Sequence, residues 1–187
     1  MPSPFKDIAE LRDLHHSLPA FSEKLLGVLQ HLALSLKSYH ADHISVRCFQ
    51  QATAERWRAG LLQCGDLISE KIINGRPICL FSLHQPLQVG AWHIDCVELP
   101  YPGEKLYPKE DWEHVEWVVP TKNGDLDTFH QTALALFPDK TLLMPQLKLK
   151  FSNPDGEGEQ LANPTLAVTE NGITVKFHPY SIRDIVK

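Results

Sequence analysis

The sequence lacks the patterns of membrane, secreted and nucleic-acid-binding proteins. No apolar run reaches the roughly 18 residues of a membrane span, and Lys6, Asp7, Glu10 and Arg12 interrupt the region where a signal peptide would be apolar. There is no CxxC pair, and the four cysteines lie 15 to 17 residues apart, which favours reduced core thiols over disulfides or a zinc site. The net charge of −5 makes DNA and RNA poor partners. We therefore expect a cytoplasmic protein with no membrane or nucleic-acid partner.

The composition is that of an ordinary globular protein. Of the 187 residues, 43% are apolar, 22% are charged and 9% are aromatic, which is close to the average for folded domains. A chain of this length buries a substantial core without help from disulfides. The sequence therefore predicts a single compact domain.

Helical spacing dominates the first 40 residues. Apolar side chains recur three and four positions apart over residues 5–18 and 21–39, and Pro19 lies between the two stretches. The pattern predicts two helices that form an N-terminal helical arm over residues 1–40, ahead of the main fold. It leaves open whether this arm joins two copies in a homodimer.

The rest of the chain contains two stretches with the same order of predicted elements. The first has a strand, a helix and three strands at 43–49, 53–65, 67–73, 78–83 and 91–99, with an Asn74-Gly75 turn and a later Pro/Gln/Gly loop before the last strand. The second repeats that order at 114–119, 126–137, 147–151, 165–168 and 173–177, with a loop at Pro154-Asp155-Gly156 and a turn at Asn171-Gly172. We therefore predict an α+β fold of two βαβββ modules, residues 41–103 and 104–187, in which a curved and mostly antiparallel sheet surrounds a polar cavity.

The first strand of each predicted module has an unusually polar face. Alternation places His43, Ser45 and Arg47 on one side of the first strand, and His114 and Glu116 on one side of its counterpart. Each strand opens with an acidic residue followed by histidine. The repeat thereby makes His43 and His114 equivalent positions.

Glu98 and His178 lie near the ends of the two fourth strands, where a curved sheet would bring them towards these histidines. Imidazole and carboxylate groups suit divalent zinc, iron, manganese, cobalt or nickel. The candidate ligands are His43, His114, Glu98, Glu116 and His178.

The polar faces also predict groups that act on a bound small molecule. If Glu116 is not a ligand, it is the candidate catalytic base, because a poorly solvated carboxylate has a raised pKa. Arg47 and Lys176 are candidates for holding an anionic group of the substrate.

Each candidate residue also has a structural explanation. A single histidine at the start of a strand is commonly a surface or structural residue, and Glu98 can be a solvated strand end. His178 can bond to backbone, and Glu116 can form an ion pair with Arg47 across the sheet. On this alternative the chain is a non-enzymatic module that binds a small molecule or a protein partner without metal.

Several stretches resemble the YecM family of small bacterial proteins. They are ADHIS at 41–45, TAERWR at 53–58, INGRPICLF at 73–81, VELP at 97–100 and KFHP at 176–179. The resemblance covers about residues 41–187. Proteins similar to YecM are described as metal-binding and related in fold to the vicinal oxygen chelate superfamily, which includes glyoxalases, extradiol dioxygenases, epimerases and antibiotic-resistance proteins.

That resemblance implies a specific site. In the superfamily, ligands come from the first and fourth strands of each module, which implies His43 and Glu98 from one half and His114 and His178 from the other. His178 stands where a glutamate is common. The resemblance also implies an isomerase, lyase or dioxygenase whose metal ion chelates two oxygens of a small anionic substrate.

Overall fold

The computed structural model describes residues 3–73, 75–104, 107–121, 125–153 and 163–186. A 3-10 turn (Ala9–Leu11) precedes five helices: α1 (Arg12–His31), α2 (Gln51–Cys64), α3 (Leu126–Leu134), α4 (Asp139–Leu142) and α5 (Ile182–Ile185). The strands are β1 (Ala41–Arg47), β2 (Gly65–Ile73), β3 (Arg76–Val89), β4 (Trp92–Pro100), β5 (Asp111–Val118), β6 (Lys148–Ser152), β7 (Thr165–Glu170) and β8 (Ile173–His178). The prediction of a mixed α+β fold is confirmed. Asn74 of the first predicted turn and the predicted loop at 154–156 lie outside the described residues.

The strands form one open sheet in the order β2-β3-β4-β1-β5-β8-β7-β6. β1 and β5 lie side by side at the centre and run antiparallel, while β1 pairs in parallel with β4 and β5 pairs in parallel with β8. The outer pairings are antiparallel. Because β1 and β5 are neighbours, the strands that contain Asp42-His43 and Glu113-His114 meet in the middle of the sheet.

One face of the sheet packs against the long helices. The main apolar cluster joins strand residues such as Ile44, Val97, Val115, Trp117 and Val175 to residues of α1, α2 and α3. Side chains alternate along a strand, so the neighbours of these residues point to the opposite face. That second face carries His43, Ser45, Glu98, His114, Glu116 and Lys176.

Tight turns close two of the predicted hairpins. β2 pairs with β3 around Gly75, whose φ is +77°, and β7 pairs with β8 around Asn171 and Gly172, whose φ values are +49° and +78°. Two successive positive φ values are typical of the turn that matches strand twist, which asparagine and glycine tolerate best. The predicted pairing of residues 67–73 with 78–83 is confirmed.

The prediction of two N-terminal helices divided by Pro19 is wrong. A single helix, α1, runs through Pro19 and ends at His31, just before Ala33 adopts a positive φ of +54°. An internal proline costs a helix about 3 kcal/mol. Burial of one continuous apolar stripe offsets this cost; its members are Leu14, Leu18, Phe21, Leu25, Val28 and Leu29.

This helix is packed onto the sheet and does not project from it as an arm. The Trp112 indole of β5 donates a hydrogen bond of 2.9 Å to the Leu14 carbonyl oxygen.

The prediction of a loop before the fourth strand is wrong, because β3 continues to Val89 and the chain turns only at Gly90. The Gly90 amide donates to the Ser22 hydroxyl of α1 at 3.0 Å, so the long hairpin is held against the helix.

Across the described residues, no helix combines the length and the apolar character needed to cross a bilayer.

Candidate metal centre

Two irregularities in the pairing of β1 with β5 bring acidic residues beside the central histidines. Ala41 pairs with Trp117 and His43 with Glu116, so Asp42 is an extra residue in β1. Further along, Ser45 pairs with His114 and Val46 with Trp112, so Glu113 is an extra residue in β5. Such a bulge breaks the strict alternation of faces and re-aims the extra side chain. Each acidic residue can therefore bond to the histidine that follows it.

Both histidines are oriented through their Nδ1 atoms. His43 Nδ1 lies 2.9 Å from Asp42 Oδ2, and His114 Nδ1 is hydrogen-bonded to Glu113 Oε2. A carboxylate acceptor requires a proton on Nδ1, which leaves Nε2 to face the sheet's polar side. A metal-binding histidine is commonly held in this way.

The two Nε2 atoms converge on one carboxylate oxygen. Glu116 Oε1 lies 3.5 Å from His43 Nε2 and 3.1 Å from His114 Nε2. Ligand atoms about 2.1 Å from a common ion are about 3.0 to 3.4 Å apart at octahedral or tetrahedral angles. Glu98 approaches the same two nitrogens at 4.0 and 3.9 Å. His43, His114 and Glu116 thus form a group with the spacing of metal ligands.

The same two nitrogens are deeply buried without a satisfied hydrogen bond. His43 and His114 are 1% and 3% exposed, and their Nε2 atoms have no hydrogen-bond partner among the described residues. A buried polar atom left in this state costs about 1–3 kcal/mol. A cation held by both nitrogens would remove the penalty, so the residues fit a metal ion.

The two halves carry different side chains at equivalent positions of their first and fourth strands. In the first half, Ser45 pairs with Glu98 and its hydroxyl donates to Glu98 Oε1 at 2.6 Å. In the second, Glu116 pairs with Lys176, whose ammonium donates to Glu116 Oε1 at 2.9 Å. The carboxylate is on the fourth strand in one half and on the first strand in the other. Lys176, rather than His178, therefore occupies the position equivalent to Glu98.

Neighbouring charges set the pKa values of these buried groups. Burial lowers the pKa of His43, but Glu116 and Asp42 raise it to about 10. Burial raises the pKa of Glu116, but Lys176 and His43 hold it well below its usual value. The expectation of a raised Glu116 pKa is therefore wrong, because nearby cations outweigh desolvation. A lowered pKa favours the ionised form of Glu116, which is the form that binds a cation.

Comparison with known proteins identifies the family. The YecM protein family model matches residues 10–187. The chain is 53% identical to Protein YecM of Escherichia coli K12 over 182 residues, which cover 97% of this chain and 95% of that protein. The chain belongs to the YecM family. It is also 34% identical to an uncharacterized protein of Haemophilus influenzae over 183 residues, covering 95% and 94% of the two chains. The solved structure described as Structural Genomics, Protein EC4020 is 51% identical to this chain and superimposes with a TM-score of 0.88, covering 97% of this chain and 94% of the other.

In this YecM-family chain, His178 and Arg47 contact carboxylates that adjoin the two central histidines. His178 is fully buried, with Nε2 3.4 Å from Asp42 Oδ2 and Nδ1 3.8 Å from Glu116 Oε2, and burial lowers its pKa. Arg47 donates to Glu113 and stacks 4.1 Å over the ring of Tyr107. The suggested ion pair between Arg47 and Glu116 is therefore absent from the described residues, and Lys176 takes that place.

Sequence reasoning missed the roles of Asp42 and Glu113. The sequence does show that an acidic residue comes directly before each of the two equivalent histidines. In a regular strand, however, neighbouring side chains point to opposite faces. Only the bulges make them hydrogen-bond partners of His43 and His114.

Proposed function

We propose that this protein binds a divalent metal ion through His43, His114 and Glu116, with Glu98 as the fourth ligand. The ion would hold two oxygens of a small anionic molecule, as in the vicinal oxygen chelate superfamily. The reaction would be of the isomerase, lyase or dioxygenase kind. The ligand set is drawn from the two central strands and from β4.

One observation carries the proposal: two buried Nε2 atoms from equivalent strands face a single carboxylate oxygen without hydrogen bonds of their own. Charge supports it. Four carboxylates (Asp42, Glu98, Glu113 and Glu116) surround the site, and among the described residues the permanent cations that bond to them are Lys176 and Arg47. The raised pKa of His43 keeps a second proton on its ring in the metal-free protein, and a bound ion would replace that proton. With both imidazoles neutral, the four carboxylates exceed the two cations by two negative charges, which a divalent ion would neutralise.

The outward strand order supports the relation to the vicinal oxygen chelate superfamily. From the central pair, each half continues with its fourth, third and second strand, as β4-β3-β2 and as β8-β7-β6. Two βαβββ modules related by an approximate twofold axis would have this arrangement. The proposed ligands differ from the implied set at one position, with Glu116 of β5 taking the place of His178.

The bound ion would polarise substrate oxygens and stabilise negative charge that develops on them. The chain's own residues would orient the substrate. Lys176 Nζ donates a hydrogen bond to Glu116 Oε1 and would also attract an anionic oxygen of the substrate. The Ser45 hydroxyl donates to Glu98 and so holds that carboxylate in position. Arg47 would act indirectly, because it bonds to Glu113, the carboxylate that orients His114.

Metal analysis of purified protein tests the proposal. After loading with zinc, iron(II), manganese, cobalt or nickel and removal of the excess, the wild-type chain should retain about one equivalent of at least one of these ions. His114→Ala and Glu116→Gln should each lower the affinity at least about a hundredfold, because a ligand is lost. His84→Ala is the matched control, since this exposed histidine pairs with the exposed Asp66 and belongs to none of the proposed ligands. No stoichiometric retention of any of the five ions would refute the proposal.

A metal-free binding module is the second candidate function. The observation that favours it is the ion pair of Lys176 with Glu116, which neutralises the central carboxylate without a cation from solution. On this candidate the histidines and carboxylates form an internal network around a small molecule or a protein partner. It predicts no metal retention, and it predicts that Glu116→Gln lowers stability more than it lowers ligand affinity.

A further inference from the structure

The C-terminal residues 181–186, here called the cap, lie on the face of the sheet that carries the candidate metal centre. Ile182 and Ile185 of α5 pack on Leu80 of β3 and Cys96 of β4 in an apolar cluster separate from the main core. Ile182 and Val186 also line a small cavity of about 20 Å³ together with Glu98. The cap therefore covers the region next to a proposed ligand.

One carboxylate connects the cap to the centre. Asp42 Oδ1 accepts from the Ser181 hydroxyl at 2.6 Å, and Asp42 Oδ2 accepts from the Ile182 amide at 2.9 Å. The same Oδ2 atom lies 2.9 Å from His43 Nδ1. Ser181 in turn accepts from the Arg183 amide and so caps the first turn of α5. Docking of the cap and orientation of His43 thus depend on the same side chain.

In the part of the other half that the structure describes, the equivalent carboxylate makes no such connection. The equivalent carboxylate, Glu113, bonds to His114 with one oxygen and to Arg47 with the other. Arg47 belongs to β1, at the centre of the sheet, so that link stays within the sheet. Within the described ranges, Asp42 is the one carboxylate that hydrogen-bonds both to a proposed ligand and to the cap.

We propose that docking of the cap and metal binding at His43 stabilise each other through Asp42. This inference rests on the proposed metal-binding function. A docked cap holds Asp42, which holds the His43 ring ready for the ion, and partners of this kind commonly change metal affinity by about 10- to 100-fold. Coupling between two sites is reciprocal. The ion must therefore strengthen cap docking by the same factor by which docking strengthens ion binding.

Ser181→Ala tests the inference in the full-length protein, with zinc as the probe. The substitution removes one of the two hydrogen bonds from the cap to Asp42, so we expect a zinc affinity about five- to tenfold weaker, at the lower end of typical couplings. Arg183→Ala is the matched control, because Arg183 lies in the same helix but its partly exposed ion pair is with Asp95 of β4 and not with Asp42. It should change zinc affinity less than about twofold. Thermal denaturation checks that both variants are folded.

Amide hydrogen exchange gives an independent readout. In the wild type, saturating zinc should slow exchange of the Ile182 amide, and this protection should be smaller in Ser181→Ala. Unchanged zinc affinity in Ser181→Ala, or Ile182 exchange that zinc does not slow, would overturn the coupling while leaving the metal site intact. If the wild type binds no zinc at all and none of the other four ions, both proposals fail.

Discussion

Lys176→Met separates the metal-binding hypothesis from the metal-free network. Methionine keeps most of the apolar stem of lysine and removes the charge. Lys176 Nζ donates to Glu116 Oε1 at 2.9 Å, and the two side chains are 24% and 6% exposed. In the absence of metal, the variant therefore leaves a buried carboxylate with one cation fewer. We expect a less stable protein under that condition.

The size of the loss follows from the burial of the pair. Removing one partner of a fully buried ion pair costs about 3–5 kcal/mol. The partial exposure of Lys176 lets water screen the remaining charge, so we expect a loss of about 2–3 kcal/mol without metal. For a chain of this length, that corresponds to a melting temperature lower by roughly 4–12 °C.

A bound divalent ion should remove most of this penalty. The negative charge of Glu116 would then face the ion, and we expect Lys176→Met to cost less than about 1 kcal/mol at saturating zinc. The assay is urea denaturation of wild type and variant, each with zinc and with a chelator. Lys109→Met is the control, because Lys109 is 60% exposed in its pair with Asp111 and should cost at most about 1 kcal/mol in either condition. An equal loss with and without zinc would refute the reasoning and favour the metal-free network.

Three further substitutions test the site and the packing. Glu113→Ala should weaken zinc binding about 10- to 100-fold by freeing the His114 ring, measured by competition with a chelator; wild-type affinity would show that Glu113 does not orient the ligand. Gly60→Ala should lower the free energy of unfolding by about 1–3 kcal/mol despite the better helix propensity of alanine, because the added Cβ would lie 2.5 Å from Leu11 Cγ. A higher free energy of unfolding in urea denaturation would contradict this close contact. Phe81→Ala should cost about 3–5 kcal/mol, since Phe81 is fully buried, whereas Leu149→Ala at an exposed site should change little.

The order of strands and helices could be predicted because its causes are local. Residues 67–73 and 78–83 are short, largely apolar runs on either side of Asn74-Gly75 and were correctly paired around that turn. The predicted helix at 53–65 matches α2 within two residues. Pro19 misled the prediction because the cost of an internal proline is local, while the stripe that offsets it is buried by distant strands. The extension of β3 to Val89 was missed for a similar reason, since the hairpin is held by Ser22 of α1.

Part of the candidate site could be predicted from the sequence. The repeat identified His43 and His114 as equivalent, and the structure brings them together with Glu98, Glu116, Lys176 and His178. The mutual arrangement of these groups could not be predicted, because the register of β1 against β5 depends on pairing across about 70 residues of chain. Both acidic residues that orient the histidines depend on one-residue bulges in that register.

The sequence by itself determined the α+β class, the approximate element boundaries and the two acidic-histidine pairs, because alternation, helical spacing and turn residues are properties of neighbouring residues. Only the tertiary structure decided that Glu116 pairs with Lys176 instead of Arg47, that its pKa is lowered instead of raised, and that Asp42 contacts the C-terminal helix. These outcomes depend on which charges burial brings within a few ångströms of one another. Distance along the chain carries little information about that proximity.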